Sequence, residues 1–254
     1  MSSWILVNWL ELEMWAISRC YGTIHDAICG RFPKENVFHE QFLSSFRHRR
    51  AVTAGLKDFE GISVLDVGCG EQPYRALLGP SCSYVGIDVE VRHPQTLVVE
   101  PGRPWPVEGP FDLILCTQVI EHVADIRKFC EEIDRVLAPG GKLLISVPFL
   151  YPIHDIHDYR RLTPAGVAQL FPDWAIEKVT MFGGLGSTVA LLLNTWPDNV
   201  LCFTFSRRLV KALIFPIRLP LQVLLNVTAL LVDLIDGTGR YFHNSLVVLR
   251  KAGT

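Results

Sequence analysis

Gly68 and Gly70 lie within the run VLDVGCGEQPY (residues 64–74), where an apolar, β-branched segment gives way to a tight turn. Residues without side chains at that place let a ligand approach the backbone, as nucleotide-type sites do beyond the carboxyl ends of parallel strands. A dinucleotide loop asks for a further glycine three residues after Gly70, where the chain has Pro73, and a phosphate loop ending in Gly-Lys-Ser/Thr is absent. What remains is a nucleoside held without phosphates, through its ribose. Asp88, at the end of the run YVGID, supplies a carboxylate able to accept from both ribose hydroxyls.

A second constellation, YPIHDIHDYRRLTP, occupies residues 151–164. Thr163 followed by Pro164 reads as a helix N-cap and first helical position, so the histidines and aspartates before it sit in a loop. Histidine suits the removal of a proton from a substrate hydroxyl, which makes His154 and His157 the candidate bases and His122 the reserve. Tyr151, Asp158, Tyr159 and Arg160 are the candidate substrate contacts; the competing reading pairs Asp158 with Arg160 or Arg161 and leaves the loop merely polar. A metal on His154, Asp155, His157 and Asp158 lacks a further ligand cluster to support it, so no metal is expected. Cys69 reads as a small packing residue, since no basic partner adjoins it.

These residues need elements to hold them. From 61 to 183, the runs ISVLDV, SYVGID, TLVVE, FDLILC and KLLISVPF alternate with helical patterns, which predicts an open, parallel α/β sheet. Ile126, Phe129, Cys130, Ile133, Val136 and Leu137 repeat at helical spacing until Pro139-Gly140-Gly141 ends the pattern. Residues 1–60 read as a helical arm or lid, with Trp4, Leu6, Trp9, Leu10, Trp15 and Ile17 on an apolar face and His48, Arg49 and Arg50 on a basic one. Residues 184–237 are an apolar helical insertion, and 238–254 carry the last strand, SLVVL.

The 254-residue chain is 49% hydrophobic and 20% charged, a globular composition. Its formal net charge of -2 leaves no basic stripe for a nucleic acid. Seven scattered cysteines without a CxxC pair suggest neither a disulfide framework nor zinc, and fit a reducing, cytoplasmic setting. The start, MSSWILVNWLELEMW, lacks a basic segment and carries Glu11 and Glu13 within its apolar stretch, which argues against a secretory signal.

The chain resembles the class I S-adenosylmethionine-dependent methyltransferases through VLDVGCG (64–70), YVGID (84–88), FDLILCTQVIEHV (111–123) and LAPGGKLLISVPF (137–149), four motifs in register. HDYRRLTP (157–164) is similar, more loosely, to the HDYxRxTP segment of type 11-like members in cell-surface glycan and small-molecule biosynthesis. The resemblance implies a Rossmann-like, mostly parallel seven-stranded sheet with helices on both faces, and S-adenosyl-L-methionine as cofactor. It also implies that Asp66, Gly68 and Gly70, with Cys69 between them, line the methionine moiety and that Asp88 holds the ribose. Gln118 would border the methionine end and Glu100 would lie beside the adenine, although VVEPGRPWP departs from the family's usual pattern there. The loop's usual third glycine is also missing, replaced by Glu71-Gln72.

Methyl transfer from a sulfonium is an in-line displacement, so holding acceptor and methyl in line is the protein's main task, worth up to about 7 to 11 kcal/mol. The expected reaction is O-methylation of a glycan, a lipid-linked precursor or another small molecule. Lipid-quinone or other C-methylation is the alternative, and a non-catalytic cofactor-binding scaffold is the alternative of another class. Within 199–232 the insertion carries Arg207, Arg208, Lys211 and Arg218, with no acidic residue until Asp233. Pro216 and Pro220 are expected to break it into arms shorter than the ~20 residues of a spanning helix. Peripheral contact with the inner face of a membrane is therefore expected, against a helical cap or subunit contact.

Overall fold

The structure, a computed structural model, describes residues 21–30, 35–57, 59–200 and 207–253, with the side chains of 198–200 and 207–209 left aside. The amphipathic helix expected around Trp4 to Ile17 lies outside the described residues.

The chain divides into two compact units. The first comprises residues 48–182 and 242–254 and holds the sheet. Its seven strands are β1 (Ser63–Val67), β2 (Ser83–Asp88), β3 (Thr96–Val98), β4 (Phe111–Thr117), β5 (Leu137–Pro148), β6 (Ala175–Phe182) and β7 (Asn244–Arg250). They lie in the order β3-β2-β1-β4-β5-β7-β6, parallel except for β7, which runs antiparallel between β5 and β6. The helices are α1 (Phe42–Leu56), which crosses the boundary between the units, α2 (Ile126–Val136) and α3 (Pro164–Ala168).

Strand alternation explains why both faces of the sheet are apolar. Leu113 and Leu115 of β4, Leu144 of β5 and Leu246 and Val248 of β7 pack with Val52 and Leu56 of α1. Their neighbours Ile114, Cys116, Leu143, Ile145, Val247 and Leu249 pack on the other side with Ile133 and Val136 of α2. Gly55 lets α1 approach closely, since a Cβ there would lie 2.8 Å from Leu144 Cδ1. Leu144→Ala should destabilise the fold by about 2 to 5 kcal/mol, read as a lowered urea midpoint at unchanged slope, because the site is closed on every side.

Helix α2 ends at Val136, and Leu137, the last residue of the helical repeat, already begins β5. Thr163 caps α3 by accepting from Gly166 N at 3.1 Å, with Pro164 in the first turn, as the sequence predicts.

The second unit comprises the described parts of residues 1–47 and 183–241, so the arm and the apolar insertion form one body and not separate segments. The boundary expected at residue 60 falls instead within α1. Residues 21–29 are helical, followed in this unit by α4 (Leu185–Val200) and α5 (Arg207–Ile235). Asn226 of α5 accepts from Asn194 Nδ2 of α4 at 2.9 Å and donates to Val37 O at 2.7 Å; Gln222 Nε2 donates to Phe38 O. Asp233 takes Arg47 at 2.7 Å.

Pro216 and Pro220 do not break α5, which runs continuously for 29 residues. Each proline removes one amide donor, but both lie on the exposed side, where water can hydrate the freed carbonyls. The 26 residues Val210–Ile235 are therefore long and apolar enough to cross a membrane by length and composition, which the two short arms expected from the sequence were not.

Candidate functional site

The loop after β1 begins with an unusual backbone. Gly68 and Gly70 have φ of +71° and +51°, and a Cβ on Gly68 would lie 2.3 Å from Val119 Cγ2. The N–H groups of Gly68 and Cys69 both donate to Ile87 O, at 2.8 and 3.1 Å, and tie the loop to the end of β2. Asp88 tightens it further, its Oδ2 accepting from Gly70 N at 2.9 Å. Gly86 leaves room for Cys69, whose Sγ would be 2.8 Å from a Cβ there. Cys69 itself is buried beside Thr96 Oγ1 at 3.5 Å, and burial raises its thiol pKa, the behaviour of a packing residue.

Two polar atoms near this loop are orphaned. Asp66 is 1% exposed; its Oδ2 accepts from Tyr84 OH at 2.6 Å, while Oδ1 is buried without a partner. Burial pushes the Asp66 carboxyl up to about 7, against the Tyr84 hydrogen bond and with help from the Asp88 charge. Gln72 Nε2 is likewise buried and without a hydrogen-bond partner. Buried polar atoms are rarely left so, and this set fits the amino acid portion of S-adenosylmethionine, whose ammonium would answer Asp66 Oδ1.

That arrangement carries a pH signature. An ammonium beside Asp66 favours its carboxylate, so below about pH 7 binding must expel a proton, and affinity should rise with pH until it levels near 7. Calorimetry should show a change of up to about tenfold per pH unit on the rising limb, and Asp66→Asn should flatten it.

Glu100 follows β3 with its side chain 78% exposed and 3.9 Å from Arg103, facing water. Gln118, at the end of β4, takes a left-handed backbone with φ of +57°. Its side chain is held by a buried polar chain. Nε2 donates to Ser146 Oγ at 3.0 Å and Asn244 Oδ1 at 3.1 Å, and Oε1 accepts from Asn244 Nδ2 at 2.9 Å. Ser146 Oγ also meets His48 Nε2 at 2.8 Å, and His48 Nδ1 lies 3.4 Å from Tyr74 OH. His48 is therefore not on a basic face: its ring is enclosed by Tyr74, Ser146 and Phe182, and that setting holds the imidazole down to about 4.

The loop after β5 folds back onto the residues after β4. Asp158 has a fully buried carboxylate paired with Arg161, whose Nη2 is at 2.7 Å from Oδ2, and this partner keeps its pKa low. Arg160 donates to the carbonyls of Ile120, Val123 and Ala124. Of the four residues expected to touch the acceptor, Asp158 and Arg160 thus spend their polar groups inside the protein. Tyr159 is 50% exposed with its hydroxyl 2.9 Å from His157 Nδ1, and Tyr151 packs its ring 5.4 Å from that of His154.

The three histidines divide. His154 and His122 meet edge to face with centroids 5.0 Å apart, whereas the His157 ring turns to Tyr159. Glu121 sits beneath the first two. It is 1% exposed, both carboxylate oxygens lack a hydrogen-bond partner, and burial pushes its pKa up to about 7, with Asp158 adding to the effect. The sequence marked Glu121 only as part of a motif; the adjacent Ile120 in an apolar run is the one local sign that its side chain is covered. Tyr84, His48 and Asn244 carry no local signal at all.

A family profile described as "Methyltransferase domain" matches residues 36–182. A ubiquinone biosynthesis O-methyltransferase of Caulobacter sp. (strain K31) is 30% identical over 138 residues, covering 46% of this chain and 55% of that protein. The human thiol S-methyltransferase TMT1A is 29% identical over 126 residues, covering 41% and 50%. The chain thus spans about half the length of the curated relatives it matches. Among solved structures, the [4+2]-cyclase SpnF superposes with a TM-score of 0.53 at 16% identity, over 83% of this chain and 82% of that one. A putative methyltransferase in complex with the Haloferax volcanii Trm112 activator gives 0.50 at 15% identity, over 94% and 96%.

Proposed function

Because the chain belongs to the methyltransferase-domain family, we propose that it transfers a methyl group from S-adenosylmethionine to a hydroxyl oxygen of an amphipathic or lipid-borne acceptor. The carrying observation is the orphaned Asp66 oxygen beside a glycine loop tied to Asp88, with a histidine pair on the acceptor side. The bound cofactor supplies an electrophilic methyl group on a sulfonium. Asp66 and Gln72 hold its amino acid portion, and Asp88 holds its ribose. Gly70, whose missing side chain leaves open space, admits the ligand to the backbone, while the Gln118–Asn244 pair fixes the turn after β4. His154 and His122 orient the acceptor hydroxyl and promote the loss of its proton.

The oxygen acceptor is supported by the relatives named O-methyltransferases. Its amphipathic character is supported by Ile153 and Ile156, 76% and 89% exposed on the acceptor loop. Fold alone would not choose the reaction, since a protein named as a cyclase shares it. The test is incubation of the purified protein with S-adenosylmethionine and phenolic, sugar and lipid hydroxyl acceptors. O-methyl product with matching S-adenosylhomocysteine supports the reading. C- or S-methyl product moves the acceptor atom, and turnover with no acceptor class points to a scaffold.

A place of action at a membrane surface is supported by α5. Its inner side is bound by Asn194, Arg47 and residues 37–38, whereas Leu213, Ile217, Leu221, Leu224, Leu231 and Leu234 form an exposed stripe at helical spacing. The same helix carries Arg207, Arg208 and Lys211 at its start, whereas Arg218 donates to Asn194 O at 2.9 Å on the inner side. A one-sided apolar stripe with basic residues suits the surface of an anionic bilayer, on the cytoplasmic side, better than a span, which would strand the polar inner side in lipid. Each basic residue adds about 1 kcal/mol near anionic headgroups, so neither charge nor stripe suffices alone. Vesicle cosedimentation should favour anionic over neutral lipid, weaken with salt, and fall sharply when Arg207, Arg208 and Lys211 become Glu or when Ile217 and Leu221 become Asp. Wild-type protein that stays monodisperse in the supernatant with anionic vesicles at low salt overturns this placement.

A further inference from the structure

We infer that Glu121, His122 and His154 form a binding site for a divalent first-row metal ion on the acceptor side of the protein. A carboxylate oxygen of Glu121 and one nitrogen of each ring lie within 4.8 Å of one another. Ligand atoms around such an ion sit about 3.4 Å apart for bonds of about 2.1 Å. The residual gap is closed by side-chain rotation, for which His122 and His154 have room, their side chains being 29% and 41% exposed.

Independent support comes from what surrounds the three residues. Glu121 presents two buried oxygens without hydrogen-bond partners, an expensive state that a cation relieves. His122 Nδ1 faces His157 O at 3.3 Å, and a carbonyl can only accept, so Nδ1 carries the proton and Nε2 the lone pair. That Nε2 lies 3.9 Å from Glu121 Oε1. His154 Nδ1 faces Asp158 Oδ2 at 3.1 Å and Pro152 O at 3.4 Å, again acceptors alone, so its lone pair also falls on Nε2. Asp158 is fixed in turn by Arg161. A carboxylate or carbonyl behind each ring is the support that ligating histidines ordinarily have. Arg160, bound to the carbonyls of Ile120, Val123 and Ala124, holds the Glu121-His122 segment in place.

Two imidazoles and one carboxylate suit zinc, manganese, cobalt or ferrous iron, and leave coordination positions open. The role of the ion, though not its binding, rests on the oxygen-methylation reading. An acceptor hydroxyl bound at an open position gives its proton to solvent water, and its oxygen then forms the bond to the methyl carbon as the carbon–sulfur bond breaks.

The test uses the full chain, freed of metal with a chelator and titrated with Co²⁺, whose visible ligand-field bands report coordination without any turnover. Saturable bands at one Co²⁺ per chain, displaced by Zn²⁺, are expected, with affinity at least about tenfold weaker in Glu121→Gln and in His154→Ala. His154 lies on an exposed loop, so its variant keeps the measurement meaningful if Glu121→Gln unfolds. No bands, or equal binding by wild type and His154→Ala, overturns the site. Metal binding without any O-methyl product leaves the site standing and removes the oxygen-methylation reading; O-methyl product from a chain that binds no metal does the reverse.

Discussion

Replacing His154 by alanine lowers methyl-transfer turnover by about 10²- to 10⁴-fold and leaves S-adenosylmethionine affinity within about twofold. The size follows from position. His154 meets His122 with centroids 5.0 Å apart and is oriented by the buried Asp158 carboxylate, whereas the residues proposed to hold the cofactor cluster between Asp66 and Asp88. His157→Ala should cost much less. The contribution of His157 to His122 is made by its backbone carbonyl, which alanine retains, and its ring is engaged by Tyr159 OH. Single-turnover formation of S-adenosylhomocysteine separates chemistry from binding; equal rates in His154→Ala and wild type would remove this loop from the reaction.

Asp88→Ala should weaken S-adenosylmethionine by about ten- to over a hundredfold, the loss of a charge-assisted pair of roughly 1.5 to 3 kcal/mol. Two contributions combine. The ribose hydroxyls lose their acceptor, and Gly70 N loses the oxygen at 2.9 Å that holds the glycine loop in place. Asp88→Asn keeps an acceptor for the amide and should lie between the two. Calorimetry on folded variants measures this, and equal binding by wild type and Asp88→Ala would take Asp88 out of the site.

The sheet was legible because its strands are buried on both faces and read as apolar runs, and because Gly68 and Gly70 mark the end of β1 with the residue type that their left-handed backbone favours. The acceptor side was half legible. Residues 151–164 announce a polar loop, but whether Asp158 and Arg160 face a ligand or the protein depends on contacts with residues 120–124 and 161, which local pattern does not carry. The pairing of His154 with Glu121 and His122 joins positions more than thirty residues apart, and the His48–Ser146–Gln118–Asn244 chain joins positions farther still. The prolines of α5 misled for a different reason. Their cost is set by whether the freed carbonyls reach water, and only the exposed face of the helix decides that.

The placement of β7 between β5 and β6 also bears on how the protein is made. Six of its seven residues are buried, and its partners on either side are synthesised about sixty to a hundred residues earlier. Until Asn244–Arg250 leaves the ribosome, the open edge of β5 has no neighbour and β6 nothing to pair with, while the apolar α4 and α5 have already emerged. The sheet therefore closes only after both of those helices have been made. Such long-range pairing is slow, and the nascent chain passes through a stage with an unpaired strand edge and exposed leucines, the combination that aggregates. Yield in a heterologous host should then depend on synthesis rate and chaperone supply more than on the stability of the finished fold.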